Sequence, residues 1–463
     1  MSKLITANIK KTLYYLQRNG LRNTYYAAKE RLAGRQEAYC FEGASMERLK
    51  HQRDYVFDKQ PLFSILVPTY RTAREYLLEM MDSVLEQTYG RLELILADAT
   101  EDDSVETIVR EYMSQEKERY GSQRIRYHRL ERNGGISENS NEALKLAAGD
   151  YIGLLDHDDV LTPDALYEMA LQLEKCGAAG VEPLLLYSDE DKCNQDRSVY
   201  FEPHYKMDFN LDLLLSNNYI CHFLVMKREL MQSLGFRKEY DGAQDYDLVL
   251  RAVTQILPEE ERIVHIPKVL YHWRCHTGST AENPQSKTYA YEAGKRALQN
   301  TAKRMGWNAR AEHLKHLGFY EFCYEPDMFA VRADVGAIGG VLTDKTGTLV
   351  CGAYDEQGNV LYKGLPKGFT GYMHRGVLLQ NVTAVDIRMI RVRPECRTLF
   401  AQTVGVPYVE GGNGCFAWHT LPEGTDYQAV SMALGAAMRE TGYRVCWNPG
   451  MRAGISERAK ERK

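Results

Sequence analysis

Between residues 61 and 159, strand-like and helix-like stretches alternate so regularly that few architectures remain open to the chain. Residues 63–67, 92–97, 125–130 and 151–155 read as strands, while 73–88, 104–113 and 137–148 carry apolar residues at helical spacing. Alternating strands and helices with buried strands predict an α/β fold: a Rossmann-like, mostly parallel central sheet with helices on both faces. In such sheets ligands bind where strands end and loops begin. The fourth strand ends in Tyr151-Ile-Gly-Leu-Leu-Asp-His-Asp-Asp159, which sets Asp156 and Asp158 two residues apart at that edge. Residues i and i+2 of an extended backbone project to one side, so both carboxylates can close on one hard divalent cation and through it hold a diphosphate. A solvated turn with Asx hydrogen bonds is the plain alternative. Beyond the acids, Thr162-Pro163 predicts a helix capped by Thr162 with Pro163 at its first position.

Shorter segments at 184–188, 219–226, 245–255 and 263–273 continue the pattern to about residue 310, so a catalytic domain is expected over 61–312. Residues 1–60 differ in kind. The first 36 hold eight Lys or Arg against one acid, Glu30, with Leu, Ile and Tyr at helical spacing. That composition predicts a basic amphipathic helix. Leu4, Ile5, Ile9, Leu13, Leu16 and Leu21 would face lipid, and Lys10, Lys11 and Arg18 the anionic headgroups; docking on the protein itself is the alternative. Residues 41–59 read as a polar linker. From 313 to 463 the chain echoes itself: Asp245-Tyr246, a helix and Arg262-Ile-Val-His-Ile-Pro267 return as Asp426-Tyr427, a helix and Tyr443-Arg-Val-Cys-Trp-Asn-Pro449. The echo predicts a C-terminal α/β half-repeat that lacks the Asp-x-Asp half, with dimer formation as its expected use and acceptor binding as the alternative.

The net charge of −5, from 58 basic and 63 acidic residues, excludes a generally basic surface for nucleic acid. Ten Cys without a CxxC pair read as reduced thiols, and there is neither a signal peptide nor an apolar run of about 18 residues. A cytoplasmic protein is expected, held at the inner membrane face through residues 1–36.

Val67-Pro-Thr-Tyr70, Gln87-Thr-Tyr89, Asn133-Gly-Gly-Ile136, Asn141, Asp156-His-Asp158 and Gln244-Asp-Tyr-Asp247 occur in the order found in family 2 glycosyltransferases, which the chain resembles over roughly residues 61–310. The resemblance implies a GT-A fold and inverting transfer of a sugar from a nucleotide diphosphate, UDP or dTDP, to a hydroxyl of a glycan or lipid-linked glycan. Tyr200-Phe-Glu-Pro-His204, Leu213-Leu-Leu-Ser-Asn217 and the C-terminal half-repeat look like bacterial enzymes that build rhamnose-rich or other surface polysaccharides. It places a metal- or diphosphate-contacting His near His272 and His276, beside Arg274. With Asp156 and Asp158 these form the expected site for Mn2+ or Mg2+. The acceptor hydroxyl must lose a proton, and Asp245 is the expected base, with helix capping as its alternative role. Gln244 stands where the family's usual first acid would be. Asp98 resembles the carboxylate that receives a base N–H, although Ala99-Thr100 replace the commoner Asp-Gly. Thr69, Tyr70, Asn141 and Asp189 complete the expected donor site, the last within an acidic run, Asp189-Glu-Asp191, that also reads as a solvated loop. Two other classes compete: a catalytically silent carbohydrate-binding or assembly subunit, and a haloacid-dehalogenase-type phosphatase, whose Asp pair would follow the first strand rather than the fourth.

Overall fold

The computed structural model describes residues 2–33, 39–121, 123–276 and 288–455, the side chains of 2–14, 33, 119 and 120 excepted. Its elements begin with α1 (Ser2–Ala33), α2 (Met46–Asp54), β1 (Phe63–Thr69), α3 (Arg74–Leu85), β2 (Leu92–Asp98), α4 (Ser104–Tyr120), β3 (Ile125–Arg129), α5 (Ile136–Leu146) and β4 (Tyr151–Leu154). Then come β5 (Val160–Leu161), α6 (Ala165–Ala178), β6 (Leu185–Asn194), β7 (Tyr200–His204), α7 (Leu211–Leu214), β8 (Leu224–Lys227), α8 (Arg228–Leu234), α9 (Gln244–Ile256), β9 (Ile263–Cys275) and α10 (Thr288–Arg304). The chain divides into two compact units. One comprises 39–209 and 218–305; the other comprises 1–38, 210–217 and 306–463. The amphipathic helix α1 thus groups with the C-terminal region, and the expected linker 41–59, which contains α2, groups with the sheet.

The first unit is built on one sheet in the order β3-β2-β1-β4-β8-β6-β9-β5, with β7 on the edge of β6. Strands β1 to β4 are parallel, as their spacing with helices dictates. Beyond β4 the directions mix: β8 runs antiparallel to both β4 and β6, β6 is parallel to β9, and β5 and β7 are antiparallel additions. Apolar runs reveal burial but not direction, so the mixed half was invisible to periodicity. The core beneath the sheet joins β1 and β2 to α3 and α6 through Ile65, Val67, Leu77, Met80, Leu94, Leu96, Leu166 and Met169. Gln87 holds this layer together: its amide donates to the Ser83 and Thr162 carbonyls, each at 2.7 Å, and its oxygen accepts Leu166 N–H at 2.8 Å. Helix α6 therefore starts later than expected, at Ala165. Thr162 does not cap it; its hydroxyl bonds Asp164, and its N–H closes on Leu270 of β9.

In the second unit, strand Val335–Thr343 runs parallel to Arg444–Gly454, with Ile390–Val392 antiparallel to the first. The trio β6, β9 and β8 has the same arrangement, and helix Tyr427–Glu440 precedes its strand as α9 precedes β9. The sequence echo is therefore a repeat of topology. Asp426 caps its helix by accepting Ala429 N–H at 3.0 Å. A fully buried pair, Arg332 and Asp212 at 2.8 Å, lies within this unit.

Candidate active site

Asp156 to Asp159 form the loop between β4 and β5, and the loop is held from beneath by β9. The Tyr271 hydroxyl donates to Asp159 Oδ2 at 2.5 Å and accepts Asp156 N–H at 3.4 Å, while Arg274 N–H donates to Asp159 Oδ1 at 2.7 Å. Asp159, absent from the expected site, is thus the buried anchor of the motif; burial, then the charges of Asp158 and Asp156, push its carboxyl well above the usual range. Asp156 is exposed to solvent, yet in a recess crowded by protein. That enclosure raises its pKa, as do the charges of Asp158 and Asp245, while His222 and His157 pull it down. The same interactions bring Asp245 and His222 within electrostatic reach of Asp156.

Asp158 and His276 meet as expected, with Nε2 2.8 Å from Oδ2. His272 does not join them. It is buried, 2.5 Å from Asp191 through Nδ1 and packed between the rings of Phe41 and Tyr200. Among the described residues no three His, Cys, Asp or Glu side chains form a ready metal cluster, so the expected site of Asp156, Asp158 and one or both of His272 and His276 is not preassembled. Asp158 and His276 are the two expected ligands that touch, with Asp156 within electrostatic reach of Asp158, and carboxylate and imidazole donors are of the kind that Mn2+ or Mg2+ accepts.

Asp245 occupies the first turn of α9 but does not cap it. The cap position is Ala243, and Asp245 Oδ2 instead accepts Asn218 Nδ2 at 2.8 Å and lies 3.6 Å from the Cys221 thiol. His222 stacks on Tyr271 with centroids 4.6 Å apart and places Nδ1 2.9 Å from Glu190. Burial opposes a charge on this imidazole, yet its pKa is held well above the ordinary value. The Cys221 thiol is itself pushed up to about 12 by burial and stays protonated, so we attribute the charge to Glu190. Asn218 and His222 were missed because nothing in their local sequence marks them; they meet Asp245 and Glu190, the latter part of the acidic run already singled out, only through the fold.

Several expected donor contacts are occupied within the fold. Thr69 and Asp98 are opposite one another at the ends of β1 and β2, as anticipated. Both Asp98 oxygens are engaged, however: the Thr69 hydroxyl and Thr100 N–H donate to Oδ1 at 3.2 and 3.0 Å, and the Tyr127 hydroxyl to Oδ2 at 2.7 Å. Tyr70 donates to Glu101 at 3.0 Å. Asn141 uses both ends of its amide on the Phe236 backbone at 2.8 Å, tying α5 to the turn after α8. The acidic run is no solvated loop; it lies within β6, and Asp189 accepts Lys206 N–H at 2.7 Å and faces His265 at 2.9 Å. Arg274 is buried and fully committed: Nε donates to the Asp158 carbonyl and Nη1 to that of Gln195, both at 2.7 Å, Nη2 bonds Glu79 at 2.6 Å, and the guanidinium lies over the Tyr76 ring. It positions the acidic loop rather than presenting charge to a ligand.

The sheet thus carries an acidic pair at the end of a central strand and a further carboxylate at a nearby helix start. Residues 64–235 match the family model described as glycosyl transferase family 2. The chain resembles that family over this stretch. It is 40% identical over 246 residues to an uncharacterised protein of Sinorhizobium fredii, covering 53% of this chain and 26% of that one. It is 35% identical over 255 residues to the O-antigen biosynthesis protein RfbC of Myxococcus xanthus, covering 54% and 19%. Only about a quarter or less of these relatives' length is spanned. Among solved structures, S. aureus TarS in complex with UDP-GlcNAc is similar over 53% of this chain and 66% of that one, with 20% identity and a TM-score of 0.41.

Proposed function

We propose that the first unit is a metal-dependent inverting glycosyltransferase that moves a sugar from a UDP- or dTDP-sugar to a hydroxyl of a glycan or lipid-linked glycan in bacterial surface-polysaccharide synthesis. The observation that carries this reading is the grouping of water-accessible Asp156, the Asp158–His276 pair and Asp245 at one end of the sheet. Asp156, Asp158 and His276 would hold Mn2+ or Mg2+. When bound, the cation offsets charge on the departing diphosphate. Asp245, held by Asn218 and free of capping duty, takes the proton of the acceptor hydroxyl as its oxygen attacks the anomeric carbon and the bond to the diphosphate breaks. The base would rest at Thr69 and Tyr70 and reach Asp98 by displacing the Tyr127 hydroxyl.

The expected home is the cytoplasmic membrane face. No described helix is long and apolar enough to cross a membrane. Contact through α1 is supported by its exposed basic and apolar residues; Leu4, Ile5, Ile9 and Leu13 lie outside the described side chains. Release of UDP or dTDP from candidate donors with Mn2+ tests the activity. Turnover abolished by Asp156→Ala supports it, whereas tight sugar binding with no turnover in the wild type supports a silent binding subunit. Flotation with anionic vesicles, compared with a chain lacking residues 1–36, tests the membrane contact.

A further inference from the structure

The second unit contains a cavity of about 910 Å³ roofed by α1, within the range of about 300–1,000 Å³ that ligand pockets occupy. Its walls are apolar and aromatic: Tyr15 and Ala27 from the helix face Leu314, Phe319, Phe369 and Leu378. Its polar residues are mostly spoken for. Glu30, the one acid in the lining, accepts Thr370 N–H, Gly371 N–H and the Thr370 hydroxyl at 2.6 to 3.0 Å, which ties the helix to the loop below. His316 and His374 stack with centroids 4.0 Å apart; burial lowers both pKa values, the first to about 4, so both rings are neutral at physiological pH. The cations in the lining, Arg31, Lys315 and Arg452, are all exposed and therefore stand at its mouth.

The outer side of the same helix shows what surface it meets. Leu21, Tyr25 and Leu32, spaced to share one face beyond the non-helical Gly20, are 80%, 63% and 66% exposed, and exposed Arg22, Lys29 and Arg31 flank them. With Glu30 turned inward, the exposed residues between 17 and 32 include no acid. A stripe of this kind suits an anionic bilayer surface.

We propose that the cavity beneath α1 is a binding site for an anionic lipid, its hydrocarbon chain among the aromatic walls and its phosphate at Arg31, Lys315 and Arg452. The interior is largely apolar, the carboxylate of Glu30 is taken by Thr370 and Gly371, and the mouth is basic, so neither a free sugar nor inorganic phosphate matches both halves. For its ligand's source the site rests on the membrane-surface reading of α1; it is independent of sugar transfer.

The test uses the full chain, farnesyl diphosphate as a soluble prenyl phosphate, and calorimetry, with farnesol, inorganic diphosphate and a neutral oligosaccharide as controls. Farnesyl diphosphate should bind at least tenfold tighter than each control. Ala27→Trp, which fills the cavity from the helix side, should weaken it at least tenfold while leaving the melting temperature and vesicle flotation unchanged; Arg31→Glu with Lys315→Glu should weaken it without filling the cavity. Binding no tighter than to inorganic diphosphate, preference for the oligosaccharide, or affinity that neither variant changes would overturn the proposal. Lost flotation of the wild type with retained farnesyl diphosphate binding would refute the membrane surface alone.

Discussion

Arg274→Met separates a residue that holds the acidic loop from one that grips the donor. The side chain is 1% exposed, and its guanidinium joins the Asp158 carbonyl, the Gln195 carbonyl and Glu79 while lying 4.7 Å from the Tyr76 ring centroid. Met preserves the aliphatic stem and its packing but removes every donor. Breaking a buried ion pair costs about 3–5 kcal/mol. The lower end applies, because Glu79 is 32% exposed and keeps a second cation, Arg197, at 3.0 Å. We therefore expect a loss of about 3 kcal/mol, read from the urea transition of the first unit. Turnover should fall at least tenfold, because the Asp158 backbone loses its tether. Donor KM should change less than kcat, and Arg274→Lys should rescue poorly, since one ammonium cannot serve three divergent acceptors. A variant that loses under 1 kcal/mol, or one whose only defect is a raised donor KM, would refute the positioning role.

Asp245→Asn should lower kcat by about 10²–10⁴-fold with little change in stability, whereas Asn218→Ala, which only orients the carboxylate, should cost less; steady-state kinetics with unfolding controls distinguish them. His316 has a folded pKa of about 4 against an ordinary 6.5, so its contribution to stability is complete above pH 6.5 and is lost as pH falls towards 4. The shift bounds that loss at about 3 kcal/mol, and water at the cavity mouth reduces it to about 1–2 kcal/mol. His316→Phe should flatten the pH dependence in a melting series from pH 7 to 4. Asp212→Ala should destabilise the second unit by about 3 kcal/mol, the lower end for breaking a buried pair because Arg332 keeps Asp334 at 2.7 Å, measured by urea unfolding.

The parallel half of the sheet was legible because each strand there is followed by a helix that periodicity reveals. Strand directions beyond β4, and the placement of Asp189-Glu-Asp191 inside β6, depend on partners far along the chain. The Asp-x-Asp loop and the acid in the first turn of α9 could be placed from local pattern, because the apolar run of β4 stops at the acids and an apolar-periodic segment follows Asp245. Local chemistry failed where the fold itself consumed the group. Arg274, Asn141, Asp189 and His272 all looked available in sequence, and each is taken by a carbonyl, a backbone amide or a buried carboxylate supplied by another element. The C-terminal echo was readable because repeated strands carry repeated side chains, and the topology of Val335–Thr343 with Arg444–Gly454 follows it.

The central claim is that Asp156 and Asp158 hold a divalent cation against a sugar-nucleotide diphosphate. Calorimetric titration of UDP- and dTDP-sugars into the full chain with and without Mn2+ tests it most directly. Binding that needs the metal and disappears in Asp156→Ala while the fold persists is the expected result; donor binding of equal strength without metal, or unchanged in that variant, would contradict it.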